Sequence, residues 1–208
     1  MNNYGKSADL IAKALGKTGR LVGQSLWQRH LINKGVNVGL HVQIIGRPIV
    51  TVHSSSVIII RDRAVLCSRS EYTALGIAKP VILRTLAAGA SIEIGHNVGL
   101  SGTVICSASS VSIGDNCLIG ADVTIADTDF HPISPATGRR NAPLPGARTE
   151  DRICIGSDVF IGAGTHVLKG VRIGSGAVVG TRSVVTRDIP PMTIAAGNPA
   201  RPIGRVMQ

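Results

Sequence analysis

Between Ile125 and Gly156 lie the residues of this chain best suited to chemistry: Asp127, Asp129 and His131 in the run DTDFHP, then Arg139, Arg140, Arg148 and Arg152. A neutral imidazole can take a proton from a hydroxyl as that hydroxyl attacks. A carboxylate can hold the other imidazole N–H and set the tautomer, and either Asp127 or Asp129 could serve. Alternation along an extended chain puts Asp129 on the same side as His131 and favours it. Pro132 restricts the backbone of the histidine before it. A lone loop histidine is ordinary surface; what singles this one out is the pattern that it interrupts.

On both sides of the stretch an aliphatic residue returns every six positions, usually followed by glycine. Ile94, Leu100, Ile113, Ile119 and Ile125 precede it, with Cys106 in one such place and Ser112 as one extra residue. Ile155, Ile161, Val167, Ile173, Val179 and Val185 follow it. Small or β-branched residues stand four further on, as in Val98, Val123, Thr165, Ala177 and Ser183. A beat of six fits neither the helical period of 3.6 nor simple strand alternation. It fits a solenoid of short strands, three hexads to a coil, with one aliphatic per strand pointing inward and stacking on its neighbour about 4.8 Å away. Gly95, Gly114, Gly120, Gly156, Gly162, Gly174 and Gly180 are expected at crowded or positive-φ turn positions. A side of six residues spans at most roughly 20 Å, so the interior is narrow. The composition agrees: 44% of residues are hydrophobic but only 2% aromatic, so Ile, Val, Leu and Ala must fill the core. The 25 glycines show no period of three, which excludes collagen. A uniform solenoid has no cleft of its own, so function falls to its loops and to grooves between subunits. Residues 126–152, set between two in-phase repeats, are the place to look.

A chain of 208 residues suits one domain, or one with an appendage. Residues 8–32 carry a partial helical stripe including Leu10, Leu15, Leu26 and Leu31, weakened by Gly16, Gly19 and Gly23. Residues 1–34 therefore read as a helical segment that packs on the solenoid or a neighbouring subunit, and its basic character also suits a peripheral contact with a membrane surface. Residues 35–68 are strand-like with looser spacing, as for irregular first coils, and 69–93 contain an excursion with glycine and proline. The net charge of +10 is uneven: +5 over residues 1–34, +3 over 35–93, −2 over 94–153 and +4 over 154–208. Basic ends suit an anionic partner. Nucleic acid is set aside because there is almost no aromatic surface to stack bases on, and a phosphorylated cofactor fits better. Cys67, Cys106, Cys117 and Cys154 lack zinc-like spacing, and the three in or beside the repeats read as small buried thiols. His96, His131 and His166 stand too far apart for a metal site read from spacing. No signal peptide or membrane-spanning stretch is evident, which leads us to expect a cytoplasmic protein.

The hexads, the loop DTDFHP and the ending AAGNPARPIG together resemble the hexapeptide-repeat acyltransferases, strongly over residues 94–205 and more loosely over 35–93. The resemblance implies an all-β, left-handed parallel β-helix over residues 35–205, with a catalytic loop at 126–152 and a C-terminal extension at 189–208. It implies a homotrimer using acetyl-CoA, without a metal, to acetylate a hydroxyl of a sugar or surface-polysaccharide precursor. His131 is then the general base. Ser101, in GLSG, stands where galactoside- and maltose-acetyltransferase-like members hold the acceptor with asparagine; Asn97 and His96 are nearby alternatives, and Asp127 is placed on the acceptor side. The backbone N–H of Ala163, after Gly162, becomes the oxyanion donor. Phe160 matches a position beside the pantetheine arm, and Thr181, Thr186 and Arg187 match positions along the cofactor groove. Arg201 matches a phosphate contact. The family's second C-terminal arginine aligns with Gly204, and the adjacent Arg205 can take its place. Arg139 and Arg140 either meet an anionic acceptor or solvate the loop. An antibiotic O-acetyltransferase of the same fold, or a structural solenoid without catalysis, are the competing expectations.

Overall fold

The computed structural model describes residues 26–132, 144 and 146–207. Residues 26–33 are helical, with Leu31 fully buried and Trp27 packed on the core. Beyond them the described chain is mainly short strands, in three sheets. The first sheet runs from Val36–Val38 to Arg172–Ile173, the second from Gln43–Ile45 to Val178–Val179, and the third from Ile49–Thr51 to Val184–Val185. Within these spans each strand pairs in parallel with the third strand after it, so the chain visits the three sheets in rotation. We call one such rotation a coil. Thr193–Gly197 then joins the second sheet, and Ala200–Arg205 turns back antiparallel along its edge.

The hexad spacing produces this arrangement because each strand offers one inward residue to a column. In the second sheet Ile44, Leu66, Leu100, Ile119, Ile161, Val179 and Ala195 stand in register and are all buried. The buried hydrophobes among the described residues are Ile, Val, Leu, Ala and Cys, as a narrow interior requires. The places four beyond each aliphatic also face inward: Val98, Val123, Thr165, Ala177 and Ser183 have no exposed surface. Two of these carry hydroxyls, and both donate to the Gly180 carbonyl, Thr165 at 3.1 Å and Ser183 at 2.7 Å.

Four details differ from the sequence reading. Residues 35–67 are not irregular, since their strands join the same three sheets in the same rotation. Ile105, not Cys106, fills the inward column of the third sheet between Leu83 and Ile125. That side is one residue short and the next turn longer, which explains the apparent extra residue at Ser112. The second-place glycines are crowded but not left-handed. A Cβ on Gly162 would sit 2.5 Å from the Thr181 nitrogen of the next coil. The left-handed residue comes two places later, as in Asn97, Asn116, Asp122, Asp158 and Gly164, with φ between 56° and 69°. Asn, Asp and Gly tolerate that region best. Finally, Cys67 is buried and Cys154 is exposed, because Ile153 and Ile155 take the inward positions on either side of it. No helix among the described residues is long and apolar enough to cross a membrane.

Candidate functional site

The rotation of the chain sorts the candidate residues onto three corners. The corner leading from the third sheet to the first carries the interruption. Its outgoing arm leaves strand Thr124–Ala126 and its returning arm enters Ile153–Ile155. Asp127 is 1% exposed. One of its oxygens accepts from the Ala108 N–H at 2.6 Å; the other accepts from the Ser109 N–H at 2.9 Å and the Ser107 hydroxyl at 2.8 Å. Its placement on the acceptor side is thereby corrected: both oxygens are buried and taken by the preceding coil, so Asp127 anchors the root of the loop.

Asp129 meets Lys169 of the next coil, with Nζ 2.5 Å from Oδ2. The alternation argument that paired it with His131 does not hold, because Phe130 between them has a left-handed backbone, φ 62°. The Phe130 N–H turns back onto the Thr128 hydroxyl at 3.2 Å. Lys169 also lies 3.8 Å from Asp151 on the returning arm, and the Gly170 N–H donates to the Asp151 carbonyl at 2.8 Å. One ammonium thus spans the neck of the loop. Its hydrogen bond to Asp129 holds the Lys169 pKa above the ordinary lysine value. His131 is exposed just beyond this neck. Thr186 and Arg187, also exposed, follow strand Val184–Val185 on the same corner. Arg139 and Arg140 lie outside the described residues.

The corner leading from the second sheet to the third gathers most of the expected cofactor residues. Phe160 points outward from the second sheet, 42% exposed, beside Leu118. Gly162 and Ala163 follow it, with Thr181 one coil further on. A groove of about 390 Å³ runs along Ala121, Ala163 and Thr181, with Leu75 on its other side. A second hollow, of about 360 Å³, lies over the second sheet between Ser101, Phe160 and Tyr72. Arg201 pairs with Ala196, whose Cβ would lie 2.8 Å from a Cβ on Gly180, the residue before Thr181. Arg201 therefore lies on the strand next to the one over Gly180, and its guanidinium donates to the Ala200 carbonyl at 3.0 Å; it is not among the residues that line the groove. Arg205 pairs with Thr193, at the opposite end of the hairpin. The structure does not bring it to Arg201.

The corner leading from the first sheet to the second holds Asn97, whose amide donates to Asn116 at 3.2 Å in a ladder of turn residues. A strand of the second sheet separates it from Ser101. This corner also shows what is unusual about the groove. Here the third-place N–H of each coil is capped by a side chain of the next: His96 by Asp115 at 2.7 Å, Asp115 by Ser157 at 3.2 Å, and Ser157 by Ser175 at 3.2 Å. Along the groove the third places are Ala121, Ala163 and Thr181. Alanine supplies no acceptor, and among the described residues no acceptor takes the N–H of Ala121 or Ala163. Donors left without partners beside a groove can stabilise an incoming oxyanion. Ala121 and Lys169 were missed from sequence. The signals were present: an acceptor-free third place in IGADVT, and a hexad, VLKGVR, with lysine in third place and no second-place glycine.

Comparison with known proteins follows the same lines. Residues 110–128 match the family model described as the hexapeptide repeat of succinyl-transferase, and residues 155–187 match bacterial transferase hexapeptide (six repeats). The chain is 41% identical over 91 residues to galactoside O-acetyltransferase of Lactococcus lactis subsp. lactis (strain IL1403), covering 44% of this chain and 41% of that one. It spans about half the length, or less, of such curated relatives. Among solved structures it resembles a galactoside acetyltransferase in complex with coenzyme A, at 30% identity and TM-score 0.50 over 70% of this chain and 66% of that one. The polySia specific acetyltransferase NeuO is similar at 26% identity and TM-score 0.50, over 83% and 84%.

Proposed function

We propose that this chain, a hexapeptide-repeat protein by its family matches, moves an acetyl group from acetyl-CoA to a hydroxyl of a sugar or surface-polysaccharide precursor. The observation that carries the reading is the groove with the open N–H of Ala163 beside Thr181, adjoining the hollow that Phe160 lines. Similarity to galactoside O-acetyltransferases and to NeuO supports a glycan acceptor. Left-handed winding of the coils over residues 35–205, residues 1–34 as an appended segment and a cytoplasmic location belong to the same proposal and rest on the resemblance of the hexads, the loop and the C-terminal ending.

In this reading His131 takes the acceptor's hydroxyl proton while the oxygen attacks the thioester carbonyl. The new C–O bond drives charge onto the carbonyl oxygen, which meets the Ala163 N–H. Collapse breaks the C–S bond, and the imidazolium returns its proton to the departing sulfur. Ser101 offers a hydroxyl to the acceptor from the hollow beside Phe160. Arg201 holds a cofactor phosphate, as guanidinium groups do well. Thr186 and Arg187 line the facing wall, beside the loop.

His131 and Ala163 lie on different corners of one chain, separated by the width of the third sheet, about 15 Å for a strand and its turns. The reaction therefore needs the loop corner of one copy against the groove corner of the next. A closed ring of copies makes such sites, and the number three is what the family resemblance implies; on that ground we assign a homotrimer. Calorimetric titration of acetyl-CoA tests the reading without knowledge of the acceptor. Micromolar binding, weakened at least tenfold in Arg201→Ala, is expected from loss of about 1.4 kcal/mol or more in a charge-assisted contact. No binding at millimolar acetyl-CoA would leave a scaffold without a transferase.

A further inference from the structure

We propose that Leu75 is the end wall of the acyl site and confines the transferred group to a short acyl chain; the assignment rests on the acetyl-CoA reading above. Residues 68–81 leave the second sheet after Cys67 and reach the third at Ile82. On the way they climb the same corner as the groove. A Cβ on Gly102 would lie 2.8 Å from the Lys79 carbonyl and 2.9 Å from the Ile77 Cβ, so glycine lets the segment pass this close. One coil further on, the Ala78 N–H donates to both oxygens of Asp122 at 3.0 Å. The Ile77 N–H donates to the Ser70 hydroxyl at 3.1 Å, which ties the segment to itself. The corner is thus covered at Gly102 and Asp122 and open at the next two levels, Ala163 and Thr181.

Leu75 stands at that boundary. It lines the groove with Ala163 and Thr181, and also the hollow with Ser101 and Phe160. It is 79% exposed on a tethered segment. An apolar side chain held out in this way, between two cavities, gains from covering apolar ligand surface. A thioester whose oxygen meets the Ala163 N–H, with its pantetheine arm toward Thr181, directs its acyl carbons down the groove to Leu75. A methyl group fits before the leucine; each further methylene closes on it.

The test is calorimetric titration of the full chain with CoA, acetyl-CoA and butanoyl-CoA. We expect the unsubstituted protein to bind butanoyl-CoA about tenfold or more weakly than acetyl-CoA, and Leu75→Ala to bring the two within about threefold, because butanoyl adds two methylenes and even one too many costs about tenfold or more. Asp122→Gly keeps the left-handed turn and removes both acceptors of the Ala78 N–H, so it should narrow the ratio by freeing the wall. Equal affinities for the two thioesters in the unsubstituted protein, or a ratio unmoved by Leu75→Ala, would overturn the proposal and leave the acetyl-CoA reading standing. Failure of all three ligands to bind would overturn both.

Discussion

Two residues of the DTDFHP run separate cleanly by environment. Asp127 is buried and accepts three hydrogen bonds from residues 107–109, whereas His131 is exposed past the neck of the loop. Their substitutions should therefore fail in different ways. Asp127→Ala leaves two backbone N–H groups and a hydroxyl without a buried acceptor, and should destabilise the fold by about 3 kcal/mol or more. A lowered denaturant midpoint is the expected measurement; unchanged stability with a raised KM for the acceptor would restore Asp127 to the acceptor side. His131→Ala should leave the midpoint unchanged and lower acetyl transfer by about 100-fold or more. Comparable turnover in that variant would remove His131 from the mechanism.

At the scale of elements, the long loop is held at its neck by one side chain. Lys169 bonds Asp129 on the outgoing arm and lies near Asp151 on the returning one. Small displacements of a catalytic group are costly, so Lys169→Met should lower acetyl transfer about 10- to 100-fold, while Lys169→Arg recovers most of it. A Met variant as active as the parent would sink the clamp. The sign of the pH effect also follows. The pKa of Lys169 is raised by Asp129 from 10.5, so the contribution of the pair is complete below that value and fades as pH rises through the higher one. The clamp therefore holds across the neutral range, and the melting temperature should show its loss only in strong alkali. A melting temperature that fell between pH 7 and 9 in the parent but not in Lys169→Met would contradict this.

At the scale of the whole molecule, the sorting of residues by corner has one main consequence. Ser101, Phe160, Ala163, Thr181 and Arg201 share the second sheet and the corner that follows it, while Asp129, His131, Lys169 and Arg187 share the corner after the third sheet. On the proposed reading one chain therefore carries two half-sites that face different directions. Sedimentation equilibrium should give three times the chain mass of 21.6 kDa. Mixing His131→Ala with Ala163→Pro chains, each inactive alone, should restore part of the activity, because some interfaces then pair an intact base with an intact donor. A fully active monomer would remove the shared site.

What the sequence determined by itself is the repeating frame. A period of six with a small fifth place forces the columns of Ile, Val and Leu, because inward direction depends only on position within a short strand. The interrupting loop was legible for the same reason, as a break in that period. The excess of small residues over aromatics likewise announced a narrow core. Tertiary structure decided whatever depends on contact between coils. Ile105 and Cys106 are adjacent and both apolar, so only stacking on Leu83 and Ile125 shows which one turns inward. Asp129 finds Lys169 rather than His131 because a left-handed Phe130 redirects the chain and the next coil supplies a cation. The segment around Leu75 reads as an irregular excursion, and it becomes a wall only through Gly102 and Asp122, which lie one and two coils away. Such contacts join residues tens of positions apart, and their partners are set by how many residues each side and loop contains, which no local pattern records.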